Sequence, residues 1–156
     1  MISWKKASLY DTGISARFSY RLERADEAIN AASLLMKNGM LTSSMNRIYY
    51  AMFYSVQALF VLHGVSFSKH GKVKGYFNRE FIKNGKIPVN YGKLYNKAFE
   101  YRQKFDYIDF VAPDAALVSD YIENAKAFLE HIGKYIQSNL PTQSSDAFRR
   151  PDEAEV

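Results

Sequence analysis

Apolar residues recur every three or four positions along most of this chain, which is the spacing of one face of an α-helix. The first stripe runs over residues 18–36, and we expect Ser15 to cap its start and Asn38-Gly39 to end it. A second run is apolar over a wider arc and stops at Gly64, so it predicts the most buried helix. Its apolar positions are Met45, Ile48, Tyr49, Met52, Phe53, Val56, Leu59 and Phe60.

The third helical region is interrupted. Helical spacing covers about residues 70–83, and Asn84-Gly85 followed by Pro88 forces a break. The periodicity resumes near Asn90 and ends before Pro113, with a stripe made of Leu94, Ala98, Tyr101, Phe105 and Ile108. The pattern therefore predicts one helix in two pieces.

The last stripe predicts a helix that begins near Pro113-Asp114, because proline suits the first turn and an acid suits the positive end of the helix dipole. Its apolar positions are Val118, Ile122, Ala125, Leu129, Ile132 and Ile136. Pro141 closes it, and the polar residues beyond have no periodicity. We expect one helical domain over residues 1–140 and a disordered tail over residues 141–156.

No alternating pattern typical of strands competes with these stripes. The sequence therefore predicts an all-α, antiparallel up-and-down four-helix bundle with a broken third helix. Small residues in the second run would let another helix approach closely, either from the same chain or from a second copy. They are Ser44, Ala51, Ser55 and Ala58.

Composition and charge narrow the class of protein. The chain has no cysteine, which excludes disulfides and thiolate metal sites. No apolar run is long enough for a signal peptide or a membrane span, so we expect a cytoplasmic protein without membrane contact. Residues 69–104 hold ten Lys or Arg and two acids, whereas residues 106–130 hold six acids and one lysine. This asymmetry suits a phosphate ligand on one face and a basic partner on another, or two solvated helix faces whose charges offset.

The sequence gives little support for a metal site or for a catalytic nucleophile. The histidines, His63, His70 and His131, are far apart, and no carboxylates stand at ligand spacing, so we expect no metal and no cofactor. We interpret His63 as a helix C-terminal residue whose positive charge is favourable there, and His131 as lying at the edge of the last helix. No Gly-x-Ser-x-Gly nucleophile elbow occurs.

Polar residues inside apolar helices are the remaining candidates. Arg47 lies in the most apolar run, so its guanidinium must reach solvent or find an acceptor. Asp106 follows Arg102 by four residues, which makes an ion pair on one helix face feasible. The two arginines, with Lys69 and His70 at the start of the third region, can instead converge on a phosphate, since arginine offers a bidentate fork and a helix N-terminus offers free N–H groups.

Three clusters in this order and spacing resemble the HEPN family, helical proteins named for higher eukaryotes and prokaryotes nucleotide-binding. They are Ser44-x-x-Arg47-x-Tyr49-Tyr50-Ala51-x-Phe53, Ser68-Lys69-His70-Gly71 and Arg102-x-x-x-Asp106-Tyr107. The resemblance covers about residues 15–140 and implies a helical bundle that is commonly a homodimer. It also implies a partner, since many small members are encoded beside a minimal nucleotidyltransferase and act with it as a toxin and antitoxin pair.

This sequence departs from the motif of the catalytic branch of the family at one position. In the catalytic branch of the family, an arginine is followed after a few residues by a histidine, and the dimer cuts RNA without a metal. Arg102 takes the arginine position, but Tyr107 stands where the histidine would be. A phenol with a pKa of about 10 is a poor base at neutral pH. Tyr107 can instead donate a hydrogen bond to phosphate, accept an adenylyl group from the partner, or be a core aromatic bonded to Asp106 or Arg47.

Three functions follow as hypotheses. The first is a binding module that engages a nucleotidyltransferase, a nucleotide or both through a groove lined by Arg47, Lys69, His70, Arg102 and Tyr107, with Asp106 and Tyr50 in support. The second is a ribonuclease toxin, in which Arg102 stabilises the charge on the reacting phosphate and His70 supplies the base. The third is a structural bundle without a ligand.

Single-stranded RNA is a further possible ligand, held by phosphate contacts and base stacking along the basic segment. The tyrosines of that segment are Tyr76, Tyr91, Tyr95 and Tyr101.

Overall fold

The computed structural model describes residues 13–140, and this part of the chain folds into five α-helices without a strand. The helices are α1 (Gly13–Lys37), α2 (Leu41–Phe60), α3 (His70–Phe77), α4 (Val89–Tyr107) and α5 (Ala115–Asn139). A 3-10 turn, Val61–His63, extends α2, and a π-helical segment, Asn78–Ile82, extends α3. The predicted all-α bundle is confirmed, and its broken third helix corresponds to α3 with the π-helical segment, followed by α4. The predicted tail lies outside the described residues.

Helix α2 is the centre of the bundle and packs against α1, α4 and α5. Its predicted apolar positions are all buried, as are its small residues. The Ser44 hydroxyl donates a hydrogen bond to the carbonyl oxygen of Ala32 in α1 at 2.7 Å. The small residues therefore serve close packing within the chain.

Glycines end the helices where the pattern predicted breaks. Gly39, Gly64 and Gly85 all have a positive φ, between 66° and 79°, which a residue without a Cβ adopts at little cost. The predicted start of α1 is wrong. The helix begins at Gly13, so Ser15 lies inside its first turn and is not the cap.

Helix α4 buries a wider arc than the predicted stripe, because it packs against both α2 and the α3 region. Tyr95, which was outside the stripe, is fully buried, with its ring 5.3 Å from that of Phe77. Ile108 was predicted to be in the stripe but is 53% exposed, since α4 ends at Tyr107 and the backbone becomes extended. Among residues 13–140, no helix has the length and apolar character needed to cross a membrane.

The start of α5 gives a test of the fold. Asp114 is its N-cap, and the side-chain Oδ1 accepts a hydrogen bond from the Leu117 N–H at 2.7 Å. Replacing Asp114 with alanine leaves that N–H without its acceptor, so we expect the free energy of unfolding in urea to fall by about 0.5–2 kcal/mol. Asp114→Ser should retain most of the stability, and Asp120→Ala, an exposed position within α5, should not destabilise. Equal stability of Asp114→Ala and the unmodified protein would contradict this assignment.

Candidate functional site

Three charged or ionisable side chains from three helices meet at the ring of Tyr50. The guanidinium carbon of Arg47 lies 4.7 Å from the centroid of that ring, and the guanidinium carbon of Arg102 lies 5.4 Å from it. The ring centroid of His70, the first residue of α3, is 5.7 Å away. We call Arg47, Tyr50, His70 and Arg102 the Tyr50 cluster. Only the fold brings these residues together, because α2, α3 and α4 are distant in sequence.

Arg102 is held mainly by aromatic rings. Its side chain is 13% exposed, and its guanidinium carbon is 5.2 Å from the ring of Tyr49 as well. One terminal nitrogen donates a long hydrogen bond, 3.4 Å, to the Tyr50 hydroxyl. The Nε–H is buried and has no hydrogen-bond acceptor among residues 13–140. Arginine carries five N–H donors, so most of the hydrogen-bonding capacity of Arg102 is unused.

The predicted pair of Arg102 and Asp106 is present as a loose contact. Nε of Arg102 lies 4.0 Å from Oδ2 of Asp106, which is too far for a hydrogen bond. The same carboxylate oxygen accepts a hydrogen bond of 2.8 Å from the side-chain amide of Asn46. Since the carboxylate is engaged by Asn46, it leaves the guanidinium only partly neutralised.

Asn46 is a site residue that the sequence reasoning missed. Its Nδ2 donates to Asp106, and its Oδ1 accepts a hydrogen bond of 3.0 Å from Arg47. The amide therefore connects the start of α2 to the end of α4 and orients Arg47 above the Tyr50 ring. The one signal in the sequence was a polar residue beside Arg47 in an apolar run.

Tyr49, the second missed residue, holds His70. Its hydroxyl oxygen is 2.7 Å from Nδ1 of His70. Burial raises the pKa of Tyr49 to about 12, so the hydroxyl stays protonated at neutral pH. Burial, and then the charge of Arg102, lower the pKa of His70, so the imidazole is neutral at pH 7. We assign Tyr49 as the donor to Nδ1, which leaves the ring proton of His70 on Nε2.

The other two predicted site residues are exposed neighbours in sequence of Asp106 and His70. Tyr107 is 71% exposed and has no hydrogen bond to Asp106 or Arg47, so the alternative that it is a core aromatic is wrong. Lys69 immediately precedes α3, and its side chain is exposed, without an ion pair to any carboxylate in the described part of the chain.

The two remaining histidines belong to separate environments. Nδ1 of His63 is 2.9 Å from the Tyr76 hydroxyl, and burial lowers the pKa of this histidine. The expected favourable positive charge at this helix end is therefore wrong, because burial and the nearby Lys86 disfavour the protonated form. His131 packs against the ring of Tyr91 at 4.7 Å. Residues 13–140 contain no group of three or more His, Cys, Asp or Glu side chains that could hold a metal ion.

The tyrosines predicted to stack on RNA bases do not form an exposed row. Tyr95 is fully buried, with its ring 6.2 Å from that of Phe128. The other three are partly buried against neighbouring rings; they are Tyr76, Tyr91 and Tyr101. The prediction that Tyr95 stacks on RNA bases is therefore wrong.

The hydrogen bond from Tyr49 generates a prediction for His70. In an NMR titration, His70 should lose its proton at a lower pH than a free histidine. Replacing Tyr49 with phenylalanine removes a donor that favours the neutral ring, so the pKa of His70 should rise. Tyr76→Phe is the matched control, because it removes the hydroxyl beside His63 and should leave His70 unchanged. A His70 pKa that is the same with and without the Tyr49 hydroxyl would contradict the assignment.

The same lowered pKa has a consequence for stability. The unfolded chain binds a proton at this histidine near pH 6.5, before the folded protein does. The contribution of His70 is therefore complete above that pH and is lost as the pH falls toward the lower pKa of the folded state. In urea unfolding, His70→Gln should show a shallower loss of stability below about pH 6.5 than the unmodified protein.

Comparison with known proteins agrees with this architecture. The family model described as the HEPN domain matches residues 18–135. A UPF0332 protein of Thermotoga maritima is 48% identical over 118 residues, which cover 76% of this chain and 89% of that protein. Two proteins of Methanocaldococcus jannaschii, each named "putative toxin", are 30% and 29% identical over 75% and 85% of this chain, and over 80% and 98% of their own lengths. The chain described here belongs to the HEPN domain family.

Proposed function

We propose that this HEPN protein is a homodimeric binding module that holds a phosphate of a nucleotide or of RNA at the Tyr50 cluster. We also propose that it acts with a minimal nucleotidyltransferase as a toxin and antitoxin pair. The observation that carries the ligand proposal is the convergence of Arg47, His70 and Arg102 on one tyrosine ring.

The charge and hydrogen-bonding capacity of the cluster favour an anion. Of the two guanidiniums, Arg102 has one ion pair within residues 13–140, the loose contact with Asp106, and Arg47 has none; His70 is neutral at pH 7. Arg102 retains unused N–H donors, which suit the paired oxygens of a phosphate. In a half-buried site such contacts are screened less by water than on an open surface. The cluster therefore offers a phosphate both charge and unsatisfied donors.

The proton on His70 favours binding over cleavage. With Nδ1 assigned as the acceptor from Tyr49, the nitrogen that is left for a ligand, Nε2, carries a hydrogen and acts as a donor. A general base needs a free lone pair within reach of the proton that it removes.

Ribonuclease activity is the second candidate function, and one observation favours it. It requires His70 near Arg102, and the two side chains contact the same rings, those of Tyr49 and Tyr50, within one protomer. His70 is also neutral at pH 7, as a base must be. For cleavage, the histidine would have to release the Tyr49 hydroxyl or exchange the proton between its ring nitrogens.

The homodimer is supported by an apolar surface beside the cluster. Tyr107, Ile108 and Phe110 follow Asp106 directly and are 71%, 53% and 107% exposed. Phe110 has a positive φ of 62°, which is costly for a residue with a Cβ and presents the ring to solvent. Exposed apolar side chains grouped in this way are typical of protein interfaces. We place the contact with the second copy here.

The toxin and antitoxin role is supported by the two relatives named as toxins and by the exposure of Tyr107. A nucleotidyltransferase could use this phenol as the acceptor of an adenylyl group. In that step the Tyr107 oxygen forms a bond to the α-phosphorus of ATP, the bond to pyrophosphate breaks, and the phenolic proton passes to a base. The product would place a phosphate beside the Tyr50 cluster.

The ligand proposal predicts the effect of removing each guanidinium. Arg102→Ala and Arg47→Ala should weaken binding of a nucleoside triphosphate or a short RNA by about 10- to 100-fold, as is usual for the loss of charged hydrogen bonds. Arg102→Lys should be intermediate, because it keeps the charge but not the fork. Isothermal titration calorimetry measures the affinities. Arg79→Ala is the control, since Arg79 is an exposed arginine of the basic segment that pairs with Glu80.

Thermal unfolding of each variant checks that the fold is retained. Undiminished affinity in a folded Arg102→Ala protein would end the ligand proposal. The same proteins, incubated with labelled RNA, test the alternative. Cleavage that disappears in Arg102→Ala and His70→Ala but persists in Arg79→Ala would replace binding with catalysis.

The partner proposal predicts a modification and a complex. When the protein is co-expressed with a minimal nucleotidyltransferase, gel filtration with light scattering should show a homodimer alone and a larger complex with the partner. Mass spectrometry should find one added adenylyl group per chain on Tyr107, because this phenol is exposed beside the cluster. Tyr107→Phe should abolish the addition, whereas Tyr20→Phe, at another strongly exposed tyrosine, should not.

Two separate peaks at micromolar concentration would count against a stable complex. An adenylyl group that persists in Tyr107→Phe would show that another residue is the acceptor.

A further inference from the structure

One face of α1 carries a row of arginines that the proposed site does not use. Arg17 and Arg21 are four residues apart, as are Tyr20 and Arg24, and the two pairs lie side by side on one face of the helix. Arg17 and Arg24 are exposed. No ion pair joins the three arginines to a carboxylate of residues 13–140. This face therefore holds positive charge that the described part of the protein does not neutralise.

Arg24 is fixed by two tyrosines. Its guanidinium donates hydrogen bonds to the hydroxyls of Tyr54, at 3.0 Å, and Tyr20, at 3.3 Å. Its guanidinium carbon lies 4.9 Å from the ring centroid of Tyr54. The tyrosines hold the cation without cancelling its charge, and the Tyr20 ring remains 61% exposed.

Tyr54 connects this face to the proposed phosphate site. It follows Tyr50 by one turn of α2, and the two ring centroids are 5.8 Å apart. Cationic and aromatic groups thus continue without a gap from Arg102 over Tyr50 and Tyr54 to Arg24 and Tyr20. Each contact in the series is between 4.9 and 6.0 Å.

The series ends at an open groove of about 590 Å³ between the start of α1 and the turn after α2. Arg17 and Arg21 supply its charged side, and Val61 and Val65 its apolar side. A nucleobase with its phosphate has the same combination of an apolar face and an anionic edge. The groove is therefore large enough and chemically suited to accept the next part of a ligand that begins at Tyr50.

We propose that this face of α1 is a second subsite, so that the protein binds single-stranded nucleic acid along a track from the Tyr50 cluster to the groove at Arg17 and Arg21. The inference rests on the proposed function and extends it from one phosphate to a chain of nucleotides. Guanidiniums interspersed with aromatic rings suit the phosphates and bases of a single strand. A second copy of this chain, seated on the same face across a two-fold axis, would bring like charges together, which is unfavourable.

The test compares ligands of different length on the full chain. Fluorescence anisotropy should show that affinity for single-stranded RNA rises from a mononucleotide to oligonucleotides of about four, eight and twelve nucleotides. Tyr20→Ala should weaken binding of the longer oligonucleotides about tenfold, since it removes one stacking ring, and should leave the mononucleotide unaffected. Arg24→Ala should reduce the slope of log affinity against log salt by about one.

Lys37→Ala is the matched control, because Lys37 is an exposed cation in the last turn of α1, away from the arginine face. Three results would overturn the inference: affinity that does not depend on length, an equal loss for duplex RNA in Tyr20→Ala, or conversion of a dimer to a monomer by either substitution. Binding that depends on Arg102 but not on Tyr20, Arg24 or length would remove only the second subsite. If no nucleotide binds to the protein, so that Arg102→Ala has no effect, the proposed function is wrong instead.

Discussion

The half-buried guanidinium of Arg102 is the constraint on which the rest of the site depends. A cation in this position loses most of its water, and the one carboxylate of residues 13–140 that pairs with it stands at 4.0 Å and is already hydrogen-bonded to Asn46. The rings of Tyr49 and Tyr50 replace part of the lost solvation through cation–π contacts, each of the order of 0.5–2 kcal/mol. They cannot accept five hydrogen bonds. The folded protein therefore retains a dry, under-satisfied cation, which an incoming phosphate would complete.

Two neighbouring tyrosines, Tyr49 and Tyr50, position different residues of that site. Because consecutive residues of a helix point about 100° apart, Tyr49 faces the core while Tyr50 faces the surface between α2 and α4. Tyr49 is fully buried and fixes His70 from the inside. Tyr50 is partly exposed, and the guanidinium of Arg47 packs against its ring. A single turn of the most buried helix thus positions side chains from α2, α3 and α4, which gives the site the rigidity of the core.

The sequence was sufficient to predict most of the fold, because helices with one buried face leave a regular trace. The stripe of α5 and its start near Asp114 were both predicted from the pattern, as was the buried arc of α2, although Pro113 precedes the cap and is not in the first turn. The errors lie where periodicity stops being informative. Tyr95 is buried because α3 packs on a second face of α4, and a single stripe cannot show two contacts. Ser15 was assigned as a cap because serine favours that position, but the helix continues upstream of it.

The site was harder to predict from the sequence than the fold was. Arg47, His70 and Arg102 were proposed as a group, and the structure places them around one ring. Apart from the contact of Arg102 with Asp106, the main contacts that fix their chemistry were not foreseeable, because they join residues remote in sequence. Asn46 reaches Asp106 across two helices, and Arg24 reaches Tyr54 across another pair. No spacing rule relates such residues.

The position of one proton separates the two functions that this arrangement can support. The phosphate contacts needed for binding and for cleavage are the same, since both use the guanidinium of Arg102. They differ at His70, where a hydrogen on Nε2 makes a donor and a lone pair would make a base. The Tyr49 hydroxyl, with its pKa raised to about 12 by burial, keeps its proton and directs it to Nδ1. With this assignment, a buried phenol outside the proposed phosphate site makes His70 a donor toward the proposed ligand and not a base.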